Sequence, residues 1–276
     1  MNFAFTKVEG LGNHFVLVDW RAKPIEPGSL DKLAKLAPTI CDPHRGVGAD
    51  GILVVLDAPG CAAQMVVLNH DGSRPEMCGN GLRCVAQFVA NRADETVVIR
   101  TDAGNLKCTI IELTDRTGQV SVDMGPAKSS GAHLVSSCPQ HSFHTVSMGN
   151  PHAITFIADP NANLEALARH HGPAVEVDAQ FPNRTNVEFA RVERQGEATE
   201  IDLWVWERGC GLTFACGTGA CATAAAAVRA GLAPANRDIG VNLPGGTLTI
   251  QVPAEPQAGV RMTGPARQVF VGTYVG

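Results

Sequence analysis

Long apolar runs are missing from this chain of 276 residues. Nothing in it approaches the ~18 consecutive apolar residues of a membrane-spanning helix, so no membrane partner is expected. Dense lysine or arginine runs are missing as well. With a formal net charge of −5, that argues against nucleic acid as the main partner. The opening Met1 to Lys7 has neither the charged start nor the apolar block of a secretory signal, and a cytoplasmic location is expected. No Cys-x-x-Cys pair occurs, which leaves a structural zinc site little support and metal is not expected. Low-complexity sequence is confined to Ala222 to Ala227, a run of good helix formers.

What is present suits a globular protein, with 45% apolar and 18% charged residues. The length allows one large domain or two ordinary ones. Nine cysteines, an odd number without a secretion signal, imply reduced thiols rather than a disulfide framework. Two of them share a context. Cys78-Gly79-Asn80-Gly81 and Cys216-Gly217-Thr218-Gly219 each run into an alanine-rich segment, Leu82 to Ala90 and Ala220 to Ala230, that reads as a helix. A helix entrance presents unpaired N–H groups and favours anions, a thiolate or a carboxylate among them. The remaining Cys41, Cys61, Cys84, Cys108, Cys138 and Cys221 read as buried apolar fillers.

The cysteine motif is part of a longer repeat. Gly12-Asn13 returns as Gly149-Asn150, Cys78 as Cys216, Ala103 to Leu106 as Gly245 to Leu248, and Met124 to Ala127 as Thr263 to Ala266, at offsets of 137, 138, 142 and 139. Half of 276 is 138, so a duplication spans the chain. The expected division is a first half, 1–127, carrying Cys78 and joined by 266–276, and a second, 128–265, carrying Cys216. Two such halves facing each other would put the cysteines on one cleft.

Strands are expected at 15–20, 52–56, 65–69, 96–101, 107–113 and 119–124, with a helix at 29–37. In the second half, strands are expected at 153–157, 187–193, 201–207, 248–252 and 260–263, with a helix at 164–170 and a final strand at 268–275. Many strands around one long helix per half indicate an α+β fold with mixed or antiparallel sheets wrapped on that helix. Gly46-Val47-Gly48-Ala49-Asp50-Gly51 has the spelling of a dinucleotide loop. It leads into Ile52 to Leu56, a strand where that loop needs a helix, and reads as a turn.

Paired thiols suit proton transfer at the α-carbon of an amino acid. A base on one face and an acid on the other remove and return the proton with inversion. Cysteine can serve as either, because its ordinary pKa of ~8.5 lies near working pH. A helix entrance contributes up to ~2 kcal/mol, and at ~1.4 kcal/mol per pKa unit it brings a thiol toward neutrality. The pair titrates as a unit, one thiolate and one thiol. No cofactor is demanded.

Several stretches carry a resemblance. They are Gly10 to Asn13, Gly46 to Gly51, Asn69 to Ser73, Cys78 to Cys84, Met148 to His152, Thr185 to Val187, Glu207 to Gly209, Cys216 to Cys221 and Leu243 to Gly246. In this order they resemble the diaminopimelate epimerases across nearly the whole chain. The resemblance implies two pseudo-symmetric halves with a central helix each, commonly assembled as a homodimer. It implies a cofactor-independent epimerase converting LL-diaminopimelate to the meso form, with Cys78 and Cys216 as catalytic acid and base. Backbone amides of Gly79, Asn80, Gly217 and Thr218 would hold the reacting carboxylate. Asn13, Asn69, Asn150, Asn186, Glu207 and Arg208 would read the ammonium groups and the distal carboxylate. His152 and Glu207 would tune the thiols.

Two other readings remain at this point. One is a racemase for proline, hydroxyproline or histidine on the same fold. The other is a thiol redox or metal-binding protein using Cys78, Cys210, Cys216 and Cys221.

Overall fold

The computed structural model describes residues 1–22, 26–75, 77–196 and 198–276. They form two compact units, Met1–Val122 with Gly264–Gly276, and Asp123–Thr263. Among the described residues no helix is long and apolar enough to cross a membrane.

The first unit runs β1 (Phe3–Gly10), β2 (Asn13–Asp19), α1 (Ser29–Ile40), β3 (Gly51–Leu56), β4 (Ala63–Asn69), α2 (Gly79–Val89), β5 (Thr96–Thr101), β6 (Gly104–Leu113) and β7 (Thr117–Asp123). These strands neighbour one another in chain order. The β2–β3 and β4–β5 pairs are parallel, bridged by α1 and α2 as parallel crossovers require. Helix α2 packs on β1 through β6, and every residue from Gly79 to Gln87 is buried, as expected of a helix enclosed on all sides. Helix α1 packs on the other face, with Leu33, Ala37 and Ile40 against Val16, Val18, Ile52, Val54, Val66 and Leu68. It continues past Pro38, where the sequence suggested a stop, because Ala37 and Ile40 complete that apolar stripe. In the stretch before β3, Gly48 has a φ of +71°, and a Cβ on Gly46 would lie 2.2 Å from the Thr39 carbonyl oxygen. The segment is a turn that opens a strand, as read from the sequence.

The second unit runs β8 (Lys128–Val135), β9 (Cys138–Ser147), β10 (Pro151–Phe156), α3 (Leu164–Glu176), β11 (Asn186–Gln195), β12 (Ala198–Glu207), β13 (Gly211–Leu212), α4 (Gly217–Arg229), β14 (Asp238–Leu243), β15 (Gly246–Gln251) and the start of β16 (Arg261–Tyr274). Its strand order is β8-β9-β10-β11-β12-β14-β15-β16, parallel at β10–β11 and β12–β14. Strand β11 is covered on both sides. Val187 and Phe189 pack toward Leu164, Ala168 and Val175 of α3, and the alternate residues face α4. The rest of β16 belongs to the first unit, pairing with β1 from Glu9↔Arg267 to Phe3↔Tyr274 and lying beside β7, which closes that unit's strands around α2.

Four of the strands, β1, β8, β9 and β14, have no counterpart in the sequence reading, nor does the two-residue β13. Strand β8, Lys128-Ser129-Ser130-Gly131-Ala132-His133-Leu134-Val135, is polar and largely exposed at a sheet edge. Its pairing with β9, rather than its own propensity, makes it a strand.

Candidate active site

Each repeat of the cysteine motif begins a buried helix. Cys78 is the N-cap of α2 and Cys216 the N-cap of α4, both with extended backbones. The helices start at Gly79 and Gly217, three residues earlier than the alanine-rich segments suggested, so the glycines form the first turn. Glycine is needed there for room. A Cβ on Gly81 would lie 2.8 Å from Leu53 Cδ2, and one on Gly219 would lie 2.9 Å from Glu188 Oε1 and 3.2 Å from Cys216 Sγ.

In the first unit, the half-buried Cys78 accepts a hydrogen bond from the Gly81 N–H at 3.5 Å, and its thiol lies 3.9 Å from Asn13 Oδ1. Asn80 donates to the same Asn13 oxygen at 3.3 Å, while Asn13 donates to Asp50 at 2.8 Å. Arg83, wholly buried, holds Asn80 Oδ1 at 2.9 Å and the Pro265 carbonyl at 3.1 Å. Asn13, Gly79 and Asn80 are thereby gathered at the α2 entrance. Asn69, at the end of β4, donates to Ser73 Oγ at 2.9 Å in a local turn.

In the second unit, a hydrogen-bonded series starts at the buried Cys216. Its Sγ lies 3.6 Å from Thr218 Oγ1, and Asn150 donates to that hydroxyl at 3.2 Å. His152 Nε2 lies 3.1 Å from Asn150 Oδ1, and His152 Nδ1 lies 2.6 Å from Glu188 Oε1. Parallel pairing of His152 with Asn186 puts His152, Asn186 and Glu188 on the sheet face toward α4. Asn186 accepts from the Arg208 N–H at 2.9 Å and donates to the Pro151 carbonyl at 2.9 Å. Arg208 itself is exposed, with one guanidinium nitrogen on the Asn183 carbonyl.

Charge at the two entrances departs from the expectation for Cys216. Its thiol is pushed well above the ordinary range, first by burial, then by the nearby carboxylates of Glu207 and Glu188. The Thr218 hydroxyl and the Gly219 amide act in the other direction and only partly offset this. The helix entrance therefore does not outweigh burial and the two carboxylates, and the protonated form of Cys216 is the one favoured. Glu188, absent from the sequence-derived set, is wholly buried, and its own carboxyl is pushed up by burial, with His152 opposing. A charged residue inside the apolar stretch Val187-Glu188-Phe189-Ala190 was the available signal.

Most of the filler cysteines behave as expected. Cys41, Cys84, Cys108, Cys138 and Cys221 are buried, whereas Cys61 is half-buried. Burial pushes Cys41 to about 11 and Cys84 and Cys108 to about 12, which keeps these thiols inert.

Comparison with known proteins adds three kinds of likeness. The family model for diaminopimelate epimerase matches residues 5–129 and 144–269. A diaminopimelate epimerase of Microcystis aeruginosa is 42% identical over 299 aligned positions, covering 99% of both chains. Two solved structures share the fold at low identity. A phenazine biosynthesis protein of the PhzF family from Bacillus anthracis has a TM-score of 0.76 at 14% identity, covering 100% of both chains. A probable proline racemase from Agrobacterium radiobacter has a TM-score of 0.73 at 17% identity, covering 99% of this chain and 92% of its own.

Proposed function

Since the chain belongs to the diaminopimelate epimerase family, we propose that it interconverts LL-2,6-diaminopimelate and meso-diaminopimelate using Cys78 and Cys216 as its two acid–base groups. The observation that carries this reading is the matched placement of the two cysteines, each the N-cap of a buried helix that opens on glycine.

In one direction Cys78 as thiolate takes the α-proton, and the thiol of Cys216 delivers a proton to the opposite face. Cys216 is left as thiolate and Cys78 as thiol, so the reverse direction exchanges their roles. The raised pKa of Cys216 favours its starting as the acid. The first amides of α2 and α4, at Gly79, Asn80, Gly217 and Thr218, lie at the positive ends of the two helices and suit the reacting carboxylate and the charge that spreads onto it. Asn13, Asn69, Asn150, Asn186 and Glu207 supply groups for the ammonium ends. The planar guanidinium of Arg208 suits the distal carboxylate, which proline-like substrates lack. His152 orients Asn150, and through it Thr218, beside Cys216. Nothing in this sequence of steps calls for a cofactor.

The same reading has the enzyme acting as a cytoplasmic homodimer. Val269, Phe270 and Val271 of β16 are exposed in succession, at 42%, 49% and 77%, and such an apolar strip supports self-association.

The test is purified protein with LL-diaminopimelate in deuterated water and no added cofactor. The expected result is meso product carrying deuterium at the α-carbon, lost in both Cys78→Ser and Cys216→Ser. Full activity in either variant defeats the two-thiol scheme.

A further inference from the structure

Away from both cysteine entrances, the second unit gathers Cys138, His141 and His171, whose potential ligand atoms all lie within 4.8 Å of one another. We propose that these three side chains form a binding site for a zinc-like divalent transition metal, tying the β8–β9 hairpin to α3.

Local structure explains how residues of unlike position converge. Cys138 opens β9, and its neighbour across the hairpin is Val135. The preceding pair is Leu134↔Ser142, so Pro139, Gln140 and His141 have no partners on β8 and bulge out of the ladder. In a regular strand, positions three apart point to opposite faces. The bulge breaks that rule and returns His141 to the side of Cys138. From α3 comes His171, its ring edge-on to His141 with centroids 5.9 Å apart. Beneath them Cys138 is wholly buried in the cluster that holds Phe143, Ala168, Val175 and Phe189.

Donor chemistry selects the metal class. One thiolate and two imidazoles suit zinc and its neighbours and do not suit magnesium or calcium, which take oxygen. Tetrahedral zinc with these ligands has donors about 3.4–3.6 Å apart, given bonds of about 2.3 Å to sulfur and 2.0–2.1 Å to nitrogen. Closing from 4.8 Å takes a movement of about 1 Å in side chains, two of which are only half-buried. Gln140 lies 3.3 Å from His171 Nε2, and while that contact holds, Nδ1 is the ring atom available to a metal. On binding, Cys138 gives up its proton to solvent as the S–metal bond forms, with no change of oxidation state. The open side at the two histidines leaves the fourth position to water. The role is a clip on the fold, separate from proton transfer at Cys78 and Cys216.

This assignment changes what a bulk metal assay means, because stoichiometric zinc would not by itself speak against an epimerase. The experiment uses full-length protein stripped with a chelator, then titrated with Co²⁺ and, separately, with Zn²⁺. One equivalent of cobalt is expected, with a thiolate-to-cobalt charge-transfer band and the intense visible bands of tetrahedral geometry. Cys138→Ser should abolish the charge-transfer band, and His171→Gln should weaken binding at least tenfold. Zinc should raise the melting temperature of the wild type and of neither variant, with epimerase activity unchanged by stripping. Because Cys138 is buried and its variant can misfold, the half-exposed His171→Gln decides the matter alone. Cobalt affinity and spectrum unchanged in that variant, or no equivalent retained by the wild type, overturns the assignment.

Discussion

Nδ1 of His152 lies 2.6 Å from Oε1 of Glu188, and both side chains are shut off from solvent. Glu188 Oε2 has no hydrogen-bond partner among the described residues. A buried acid in this position costs stability unless it is paired; the short contact to His152 supplies that pairing and fixes the ring in orientation. From the ring, the bonds run through Asn150 and Thr218 to Cys216.

Glu188→Gln should therefore lower kcat about 10–100-fold, the equivalent of about 1.5–3 kcal/mol for a hydrogen bond involving a charged group. KM should change little, since Glu188 acts through His152 and not on the substrate. Glu188→Asp, with its shorter reach, should not restore the rate. Steady-state kinetics in both directions, beside a circular dichroism melt, separate this from simple destabilisation. A variant that melts early yet keeps its kcat would show Glu188 to be structural only.

Glu207 gives a prediction in pH. Its carboxylate, after burial, is the next largest cause of the raised Cys216 pKa, because a thiolate beside it is repelled. Removing that charge eases ionisation. In Glu207→Gln the Cys216 thiol should thus titrate at lower pH than in the wild type. The alkaline limb of kcat/KM should move down in the direction that uses Cys216 as acid. Alkylation of Cys216, followed against pH by mass spectrometry, reads the same shift directly. A limb that stays in place or moves upward contradicts the assigned electrostatics.

Much of this was legible in the sequence, and the parts that were not have physical causes. The paired motifs at Cys78 and Cys216 located both helix entrances, because small residues at a close approach leave a clear signature. Strand β5 has the bounds the sequence predicts, Thr96 to Thr101, a short run rich in β-branched residues. The sequence predicts a helix that ends at His170, whereas α3 runs on through Gly172 and Pro173, both poor helix formers, to Glu176. Tertiary packing overrides that local preference. Glu188 went unnoticed because β11 is covered on both faces, and a strand of that kind gives no alternation to show which side a charge serves. The convergence of Cys138, His141 and His171 rests on a bulge and a helix 30 residues further on, which spacing does not encode.

Acid stability should depend on Asp178. Its carboxylate is held down to about 2, first by the Gln180 backbone N–H, with Ser137 N–H and Ser136 hydroxyl bonds of 2.9 Å acting the same way. A carboxyl whose folded pKa lies below its unfolded value of 3.8 stabilises above that value, and the contribution is lost as pH falls toward 2. Asp178→Asn should thus cost about 1–3 kcal/mol at pH 7. The gap from wild type should narrow between about pH 4 and pH 2. Urea unfolding at a series of pH values tests both statements. A gap that is independent of pH would assign the loss to packing instead.

Gly172 explains a helix that propensity alone would break. A Cβ there would lie 2.5 Å from both Cβ and Cγ of Trp206, so α3 approaches β12 closely only because this position has no side chain. The approach lets Trp206 Nε1 donate to Glu176 Oε2 at 2.8 Å, while Glu176 Oε1 accepts from the Gly209 N–H at 3.0 Å, next to Arg208. Gly172→Ala should gain the usual helix preference of alanine, about 1 kcal/mol. Against this stands overpacking against a rigid indole, about 1–3 kcal/mol or more, so the net change should be destabilising. The displaced helix should also disturb the Arg208 segment and raise KM for diaminopimelate more than it lowers kcat. In a Trp206→Gly background, which removes both the Cβ and the Cγ, the clash is relieved, and Gly172→Ala should there become neutral or stabilising. Equal penalties in the two backgrounds would show that the indole is not what requires glycine.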